Sequence, residues 1–160
     1  MNYKLNHIDE NNNPTMVDVS QKGVTQRLAV AVCEVKCDPL IFEQLADGDI
    51  ATKKGPVFHT AIIAGTMAVK KTSDLIPFCH PLSIEACDFE IQAKEDQHLI
   101  LIRCSVKISG KTGVEMEALT GATVAALTIY DMCKAITHNM IIKEAKLIEK
   151  FGGKRVVKES

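Results

Sequence analysis

The segment CDFEIQAKEDQHLILIRCSVKI, residues 87–108, decides the fold class, because apolar and polar residues alternate along both of its halves. The alternation runs from Cys87 to Ala93 and again from Ile100 to Ile108. A period of two places the apolar side chains of a strand on one face, so residues 84–93 and 98–108 are predicted to be half-buried strands. The polar run at residues 94–97 between them predicts a hairpin turn.

Further elements are predicted on both sides of this hairpin. Residues 24–37 are rich in Val and Ala and too apolar for one solvated face, which predicts a strand covered on both sides. Asp38 and Pro39 are typical of a helix start, and this short helix is expected to end near Gly48. The remaining predictions are a helix from Val57 to about Thr72, a long helix over 118–137 and a strand over 140–149.

The order strand, helix, strand, strand, helix, strand indicates an α+β protein with the ferredoxin-like βαββαβ arrangement. In that arrangement the sheet is antiparallel and its helices pack on one face. Residues 1–22 are interpreted as an irregular N-terminal arm, residues 23–151 as a single catalytic domain and residues 152–160 as a flexible C-terminal tail.

Composition excludes several function classes. The chain has 160 residues, a net charge of −1 and no Trp, so no general basic field attracts nucleic acid or an anionic membrane. The polar first 13 residues predict no signal peptide, and no apolar run is long enough to span a membrane. Six Cys without a C-x-x-C pair are interpreted as reduced thiols of a cytoplasmic protein, and no metal site is predicted, the adjacent Cys79 and His80 being a poor pair of ligands.

Asp131 and Lys134 are neighbours on the polar face of the long predicted helix. At spacing i, i+3 the carboxylate can keep the Lys charged or exchange a proton with it, as general acid–base catalysis requires. The same spacing also fits an ordinary surface ion pair. Both interpretations stay open at this point.

Glu115 and Glu117 precede that helix, two residues apart. In an extended segment they point to the same side, where like charges raise at least one pKa. Alternatively they are acids of a first helical turn, favoured by the helix dipole. The pattern does not decide between the two.

Two other segments suggest an anionic or reactive ligand. Lys53-Lys54-Gly55 precedes a helix and could cradle a phosphate, whereas Gly110-Lys111-Thr112 is not a P-loop because Ser105 stands where its first Gly is needed. His80, held between two prolines, has a ligand or catalytic role or makes a structural hydrogen bond. If one fold brings all these segments together, the site suits acid–base work on a phosphorylated substrate.

The same segments resemble a known family. Residues 16–20, 54–55, 64–65, 74–82, 111–120 and 130–135 together resemble the cyclic pyranopterin monophosphate synthase family, the C-protein family of molybdenum cofactor biosynthesis. The resemblance extends from about residue 7 to Lys154. Phe78 departs from the pattern, since many members have Leu there, which affects the shape of the pocket and not the chemistry.

The resemblance implies a lyase that converts (8S)-3′,8-cyclo-7,8-dihydroguanosine 5′-triphosphate into cyclic pyranopterin monophosphate and diphosphate. It implies a homohexamer of three dimers with active sites at subunit interfaces, and no cofactor, although Mg²⁺ can accompany the triphosphate. The positions that match the family's catalytic residues are Lys54, Asp131 and Lys134. The positions that match its substrate-binding residues are Phe78, Cys79, His80, Met116 and Glu117, with Glu115, Lys22, Arg27 and Lys150 as further pocket positions.

Two alternatives belong to other classes. A non-catalytic regulatory module of ferredoxin-like fold would bind a small ligand at an interface, and replacing Lys54, Asp131 or Lys134 would then change affinity only. A metal-dependent nucleotide hydrolase would lose activity with a chelator. Neither alternative accounts for the ordered series of motifs as well as the enzyme family does.

Overall fold

The computed structural model describes residues 7–159. Its strands are β1 (Thr25–Lys36), β2 (Leu45–Ala46), β3 (Asp49–Thr52), β4 (Gly55–Pro56), β5 (Ala86–Lys94), β6 (Leu99–Gly110), β7 (Ile141–Phe151) and β8 (Val157–Lys158). Its helices are α1 (Pro39–Phe42), α2 (Val57–Lys70), α3 (Thr72–Leu75) and α4 (Glu115–Cys133).

The main sheet has the strand order β5-β6-β1-β7-β8, and every neighbouring pair is antiparallel. Helix α2 connects β1 to β5, and α4 connects β6 to β7. Because β6 lies between β1 and β5, this is the split βαβ order of a ferredoxin-like sheet. The predicted α+β fold class is therefore confirmed.

Helices α2 and α4 pack on one face of the sheet. On that face β1 contributes Ala29, Ala31, Cys33 and Val35, all fully buried in the core. Where the two helices cross, a Cβ on Gly121 would lie 2.6 Å from Val69 Cγ2. Small residues thus let the helices approach closely and fix the position of α4, whose two ends bear the functional groups described below.

The opposite face of β1 is covered within the chain itself. Val30 and Val32 are only 1% and 8% exposed. Their cross-strand neighbours Ser105 and Arg103 belong to a polar surface, on which Arg103 approaches Glu149 to 4.0 Å. Strand β1 is therefore buried on both sides, as predicted, and this burial does not need a partner subunit.

One element prediction is wrong. The helix that starts at Asp38 ends at Phe42 and does not reach Gly48. The chain instead forms a three-stranded ribbon, β2-β3-β4, whose first turn is Asp47-Gly48 with φ of +51° and +82°. Positive φ at both turn residues is typical of a type I′ hairpin, for which Asp-Gly is a preferred sequence.

The ends of the long helix also differ from the prediction of 118–137. Helix α4 begins at Glu115 and ends at Cys133, so Glu115 and Glu117 belong to its first turn. The extended arrangement considered for these two acids is thus wrong, and the first-turn arrangement is the one observed.

The two terminal segments lie mostly at the surface. Of the predicted arm, residues 1–6 lie outside the described residues, and residues 7–22 form no helix or strand beyond a single bridge between Ile8 and Pro14. In the predicted tail, Val157–Lys158 pairs with β7, and Ser160 lies outside the described residues. Across residues 7–159, no helix has the length and apolar character needed to cross a membrane.

Candidate active site

A cavity of about 560 Å³ opens at the N-terminal end of α4. The arm, the segment 78–82, the loop 111–113, the first turn of α4, the end of β7 and the turn that follows it all contribute to its wall. All nine residues predicted to bind substrate line this one cavity: Lys22, Arg27, Phe78, Cys79, His80, Glu115, Met116, Glu117 and Lys150. Segments far apart in the sequence are thus brought together, as the resemblance implies.

The wall of the cavity is rich in positive charge. Lys22, Arg27, Lys111, Lys150 and Lys154 line it, against two acids, Glu115 and Glu117. The N-terminal end of a 19-residue helix adds a positive dipole end on the same side. An excess of cations in a concave site attracts an anionic ligand even though the whole chain is nearly neutral.

The two acids have different environments. Glu115 is half-buried and paired with Lys150, and its carboxylate lies over Gly113, where a Cβ would collide with it. Glu117 is only 4% exposed, and its burial, with a smaller contribution from the charge of Glu115, raises its pKa. The two carboxyl groups therefore lie in unlike environments, one paired with a lysine and the other buried.

Cys79 and Phe78 form a further part of the wall. Burial raises the pKa of the Cys79 thiol, and the charges of Glu117 and Glu115 raise it further. The thiol therefore stays protonated near neutral pH and is no thiolate nucleophile. The ring of Phe78 stacks with that of His7 at a centroid distance of 6.0 Å, so an arm residue extends the apolar part of the wall.

His80 makes a hydrogen bond that holds the arm. Its Nε2 lies 2.8 Å from the carbonyl oxygen of Val17, which can only accept, so Nε2 is the donor. The structural hydrogen bond considered from the sequence is therefore present. The ring also lines the cavity, which leaves its other nitrogen as the atom available to a ligand.

Arg27 is partly occupied by backbone groups. Its Nε and Nη2 donate to the carbonyl oxygens of Gly110 and Lys111 at 3.5 and 3.4 Å. A Cβ on Gly153 would collide with Nη1, so the turn at Gly152-Gly153, with φ of +88° and +84°, lies close against the guanidinium. Only glycines fit this turn, which leads the chain to Lys154 at the cavity.

Lys54, Asp131 and Lys134 form a second cluster outside this cavity. Lys54 Nζ lies 2.9 Å from Asp131 Oδ2, and Lys134 Nζ lies 2.7 Å from Asp131 Oδ1. Lys134 and Lys54 lower the pKa of Asp131 to about 2, and Asp131 raises that of Lys134. One carboxylate therefore holds two ammonium groups side by side, although all three side chains are about half exposed.

The ribbon β2-β3-β4 determines the position of Lys54. Lys53-Lys54 is the two-residue turn between β3 and β4, and the Lys54 backbone N–H donates to Thr52 Oγ1 at 3.2 Å. This turn delivers the Lys54 side chain to the C-terminal end of α4. The segment does not line the cavity, so a phosphate cradle there gains no support from the cavity's geometry.

The two clusters lie at opposite ends of α4. Sixteen residues separate Glu115 from Asp131, which at 1.5 Å per residue is about 24 Å. A cavity of about 560 Å³ corresponds to a cube of roughly 8 Å on a side, so a ligand that fills it does not reach the second cluster of the same chain. The sequence leaves open whether one fold brings the candidate segments together; within a single chain the Lys54–Asp131–Lys134 cluster and the cavity stay apart.

Several cavity residues were not predicted from the sequence. Lys111, Lys154, Val17 and Val19 line the cavity without having been singled out as site residues. The signals for the two lysines were present, in Gly110-Lys111-Thr112 and in Gly152-Gly153-Lys154. Val17 and Val19 belong to residues 16–20, one of the segments that carry the family resemblance, but only the folded arm places them at the cavity.

Within residues 7–159, no three or more His, Cys, Asp or Glu side chains are grouped so that they could hold a metal ion. The charged groups best placed to bind an anionic ligand are the cavity cations and the two lysines of the Lys54–Asp131–Lys134 cluster.

Comparison with known proteins assigns this arrangement to a family. The chain is 53% identical over 152 residues to "Cyclic pyranopterin monophosphate synthase" of Xanthomonas oryzae, covering 95% of this chain and 92% of that protein. It is 57% identical over 157 residues to "Molybdenum cofactor biosynthesis bifunctional protein" of Synechocystis, covering 96% of this chain and 45% of that longer protein. It is also 51% identical to "Molybdenum cofactor biosynthesis protein 1" of Dictyostelium discoideum, covering 96% of this chain and 27% of that protein. The family model described as "MoaC family" matches residues 16–153, and this chain belongs to that family.

Proposed function

We propose that this chain acts in molybdenum cofactor biosynthesis as a cyclic pyranopterin monophosphate synthase. The reaction is the conversion of (8S)-3′,8-cyclo-7,8-dihydroguanosine 5′-triphosphate into cyclic pyranopterin monophosphate with release of diphosphate. Family membership supports this proposal, as does the name of a relative that is 53% identical along almost its full length. The structural observation that carries it is the cation-rich cavity formed by all nine expected binding residues.

The cavity suits the phosphate part of such a substrate. Lys22, Arg27 and Lys150 face the same space, with Lys111 and Lys154 beside them. When the bond to diphosphate breaks, negative charge develops on the leaving group, and fixed cations stabilise it there. Because these cations are already positioned, little reorganisation is needed at the moment of reaction.

The Lys54–Asp131–Lys134 cluster suits the proton transfers. Opening and rebuilding a purine-derived ring needs repeated proton transfer, which positioned side chains accelerate by about 10²–10⁴-fold. Asp131 stays ionised and holds Lys134 protonated, so Lys134 is equipped to donate a proton. Lys54 is the second acid–base group. Asp131 adjusts the protonation of the two lysines or relays protons between them.

The separation of the clusters suggests that the complete site uses two copies of the chain. The cavity of one subunit would face the Lys54–Asp131–Lys134 cluster of its neighbour across an interface. Exposed apolar side chains support association, since Ile63, Met67 and Leu127 on α2 and α4 are each more than half exposed. The hexamer of three dimers implied by the sequence resemblance provides such interfaces.

A direct assay tests the proposal. Purified protein is incubated with the cyclic dihydroguanosine triphosphate, and the pterin product and diphosphate are both quantified. We expect equal amounts of the two from wild type, and loss of both from Lys54→Ala with folding and oligomer size unchanged. A folded wild type that yields neither product would contradict the proposal and favour the non-catalytic binding module.

A further inference from the structure

We propose that Lys111 is a positioning residue, which ties the N-terminal arm into the wall of the cavity. Lys111 Nζ donates to the carbonyl oxygen of Ser20 at 3.0 Å. The bond joins residues that are 91 positions apart in the sequence, so it is made only in the folded protein. Its consequence for turnover rests on the proposed function, whereas the tether itself does not.

The arm has few other attachments. In the described part of the chain, two hydrogen bonds connect residues 7–22 to the rest of the protein: Lys111 to Ser20 and His80 to Val17. The arm forms no ladder with the sheet, and its single bridge, between Ile8 and Pro14, is internal. Two bonds therefore hold a segment that supplies His7, Val17, Val19 and Lys22 to the cavity wall.

Lys111 is itself held in place. Arg27, which lies on β1, donates to the carbonyl oxygens of Gly110 and Lys111 and so fixes the backbone from which the Lys111 side chain extends. The order of contacts is thus from the sheet through Arg27 to Lys111 and on to Ser20. Removing the Lys111 ammonium breaks the final contact of this series and leaves the bonds from Arg27 to the backbone in place.

The turn near Ser20 links the hydrogen bond from Lys111 to the position of Lys22. Asp18 Oδ1 accepts from the Ser20 backbone N–H at 2.8 Å, and the Lys22 backbone N–H donates to the Val19 carbonyl at 3.0 Å. The arm is therefore folded into a compact turn that Lys111 holds against the cavity, and Lys22 lies at its end. Without the tether, Lys22 and the Val19 wall lose their fixed position.

Limited digestion with trypsin measures directly whether the hydrogen bond from Lys111 holds the arm in place. Lys22 is the only Lys or Arg among residues 7–22, so cleavage between Lys22 and Gly23 reports release of the arm. The full-length chain is digested under native conditions, and the Lys22–Gly23 cleavage rate is followed by mass spectrometry. A charge-assisted hydrogen bond is among the stronger ones, and its loss is expected to speed this cleavage by about tenfold in Lys111→Met.

Matched variants separate the tether from a change of charge. Lys107→Met removes the same charge from β6 at an exposed position outside the cavity, and it should be cleaved at the wild-type rate. Lys111→Arg keeps a donor and should remain within about threefold of wild type. If Lys111→Met does not fold, as judged by circular dichroism, Lys111→Gln serves as the neutral variant. Equal cleavage of Lys111→Met and Lys107→Met, or no rescue by Lys111→Arg, would overturn the proposal.

Kinetics complete the test. In the synthase assay, Lys111→Met should raise KM by about tenfold and leave kcat within about threefold, because Lys54, Asp131 and Lys134 are untouched; since Lys111 is also a cavity cation, the cleavage rate is what assigns the effect to the tether. An equal fall in kcat with unchanged KM would overturn the positioning role. If wild type shows no turnover, the proposed function fails, but the cleavage rates still decide whether Lys111 tethers the arm.

Discussion

Replacing Asp131 by Asn removes the charge that holds two ammonium groups together. The carboxylate binds Lys134 through Oδ1 at 2.7 Å and Lys54 through Oδ2 at 2.9 Å. Asn has one acceptor oxygen and an NH₂ group that repels a second donor, so at most one of the two lysines keeps its partner. The two like charges then move apart, and neither lysine is positioned as in wild type.

The expected loss of activity follows from the role proposed for these groups. A positioned proton donor or acceptor contributes about 10²–10⁴-fold to a rate, so kcat of Asp131→Asn should fall by that factor. KM should change little, because the substitution leaves the cavity cations that bind the phosphates untouched. Since Asp131 raises the pKa of Lys134, its removal should also move the alkaline limb of the pH–kcat profile to lower pH.

Steady-state kinetics from about pH 6 to above pH 11 measure both effects, because the pKa of Lys134 is raised above its ordinary value of 10.5. Asp88→Asn on β5 is the matched control, since it removes a carboxylate from an exposed position and should leave kcat and KM unchanged. A kcat for Asp131→Asn within threefold of wild type would refute the reasoning, because the cluster would then be an ordinary surface ion network. An unchanged alkaline limb would refute the assignment of Lys134 as the group that titrates there.

Two further predictions concern stability. Gly121→Val should lower the free energy of unfolding by about 2 kcal/mol, within the usual cost of overpacking, because its Cβ would lie 2.6 Å from Val69 Cγ2 and 2.9 Å from Cys104 Sγ. Thermal unfolding should show a Tm lower by about 4–8 °C, and an unchanged Tm would mean that the helix crossing is loose. Glu117→Gln should be more stable than wild type at pH 7, because burial raises the pKa of Glu117 and makes its ionised form unfavourable in the fold. The greater stability of Glu117→Gln should vanish as the pH falls through the raised pKa towards the ordinary value of 4.5. Denaturant unfolding at several pH values measures this difference. A difference that grows as the pH falls would contradict the prediction.

The sheet and its helices were predictable from the sequence because their signals are periodic. The alternation over residues 84–108 gives β5 and β6 nearly to the residue, and the turn predicted at 94–97 is observed. The density of apolar residues in 24–37 correctly indicates a strand buried on both faces. A strand pattern of this length leaves few other ways to bury its side chains.

The ribbon β2-β3-β4 was not predicted, because the helix correctly predicted to start at Asp38 was expected to continue to about Gly48. Asp38 does cap a helix, since its carboxylate Oδ1 accepts a hydrogen bond from the Leu40 N–H at 3.1 Å. The turn signal Asp47-Gly48 was present and was interpreted only as the end of that helix. The error matters for function, since this ribbon is what positions Lys54.

The composition of the site was more predictable than its geometry. Motif resemblance identified nine residues that the fold brings into one cavity, although they come from five separate segments of the chain. It did not indicate that Asp131 lies at the far end of α4 from Glu115, because that follows from the observed start and end of the helix. The contribution of the arm was also beyond the sequence, since it depends on single hydrogen bonds from His80 and Lys111.

The central claim, that one active site combines the cavity of one subunit with the lysine cluster of another, is tested most directly by mixing two inactive variants. Lys134→Ala breaks the cluster and leaves the cavity intact, whereas Lys150→Ala does the reverse. After co-expression at equal levels, random assembly pairs an intact cavity with an intact cluster at ½ × ½, or about a quarter, of the sites. The account therefore predicts about a quarter of wild-type synthase activity from the mixture. Activity no greater than the sum of the two variants measured alone, in verified mixed oligomers, would contradict it.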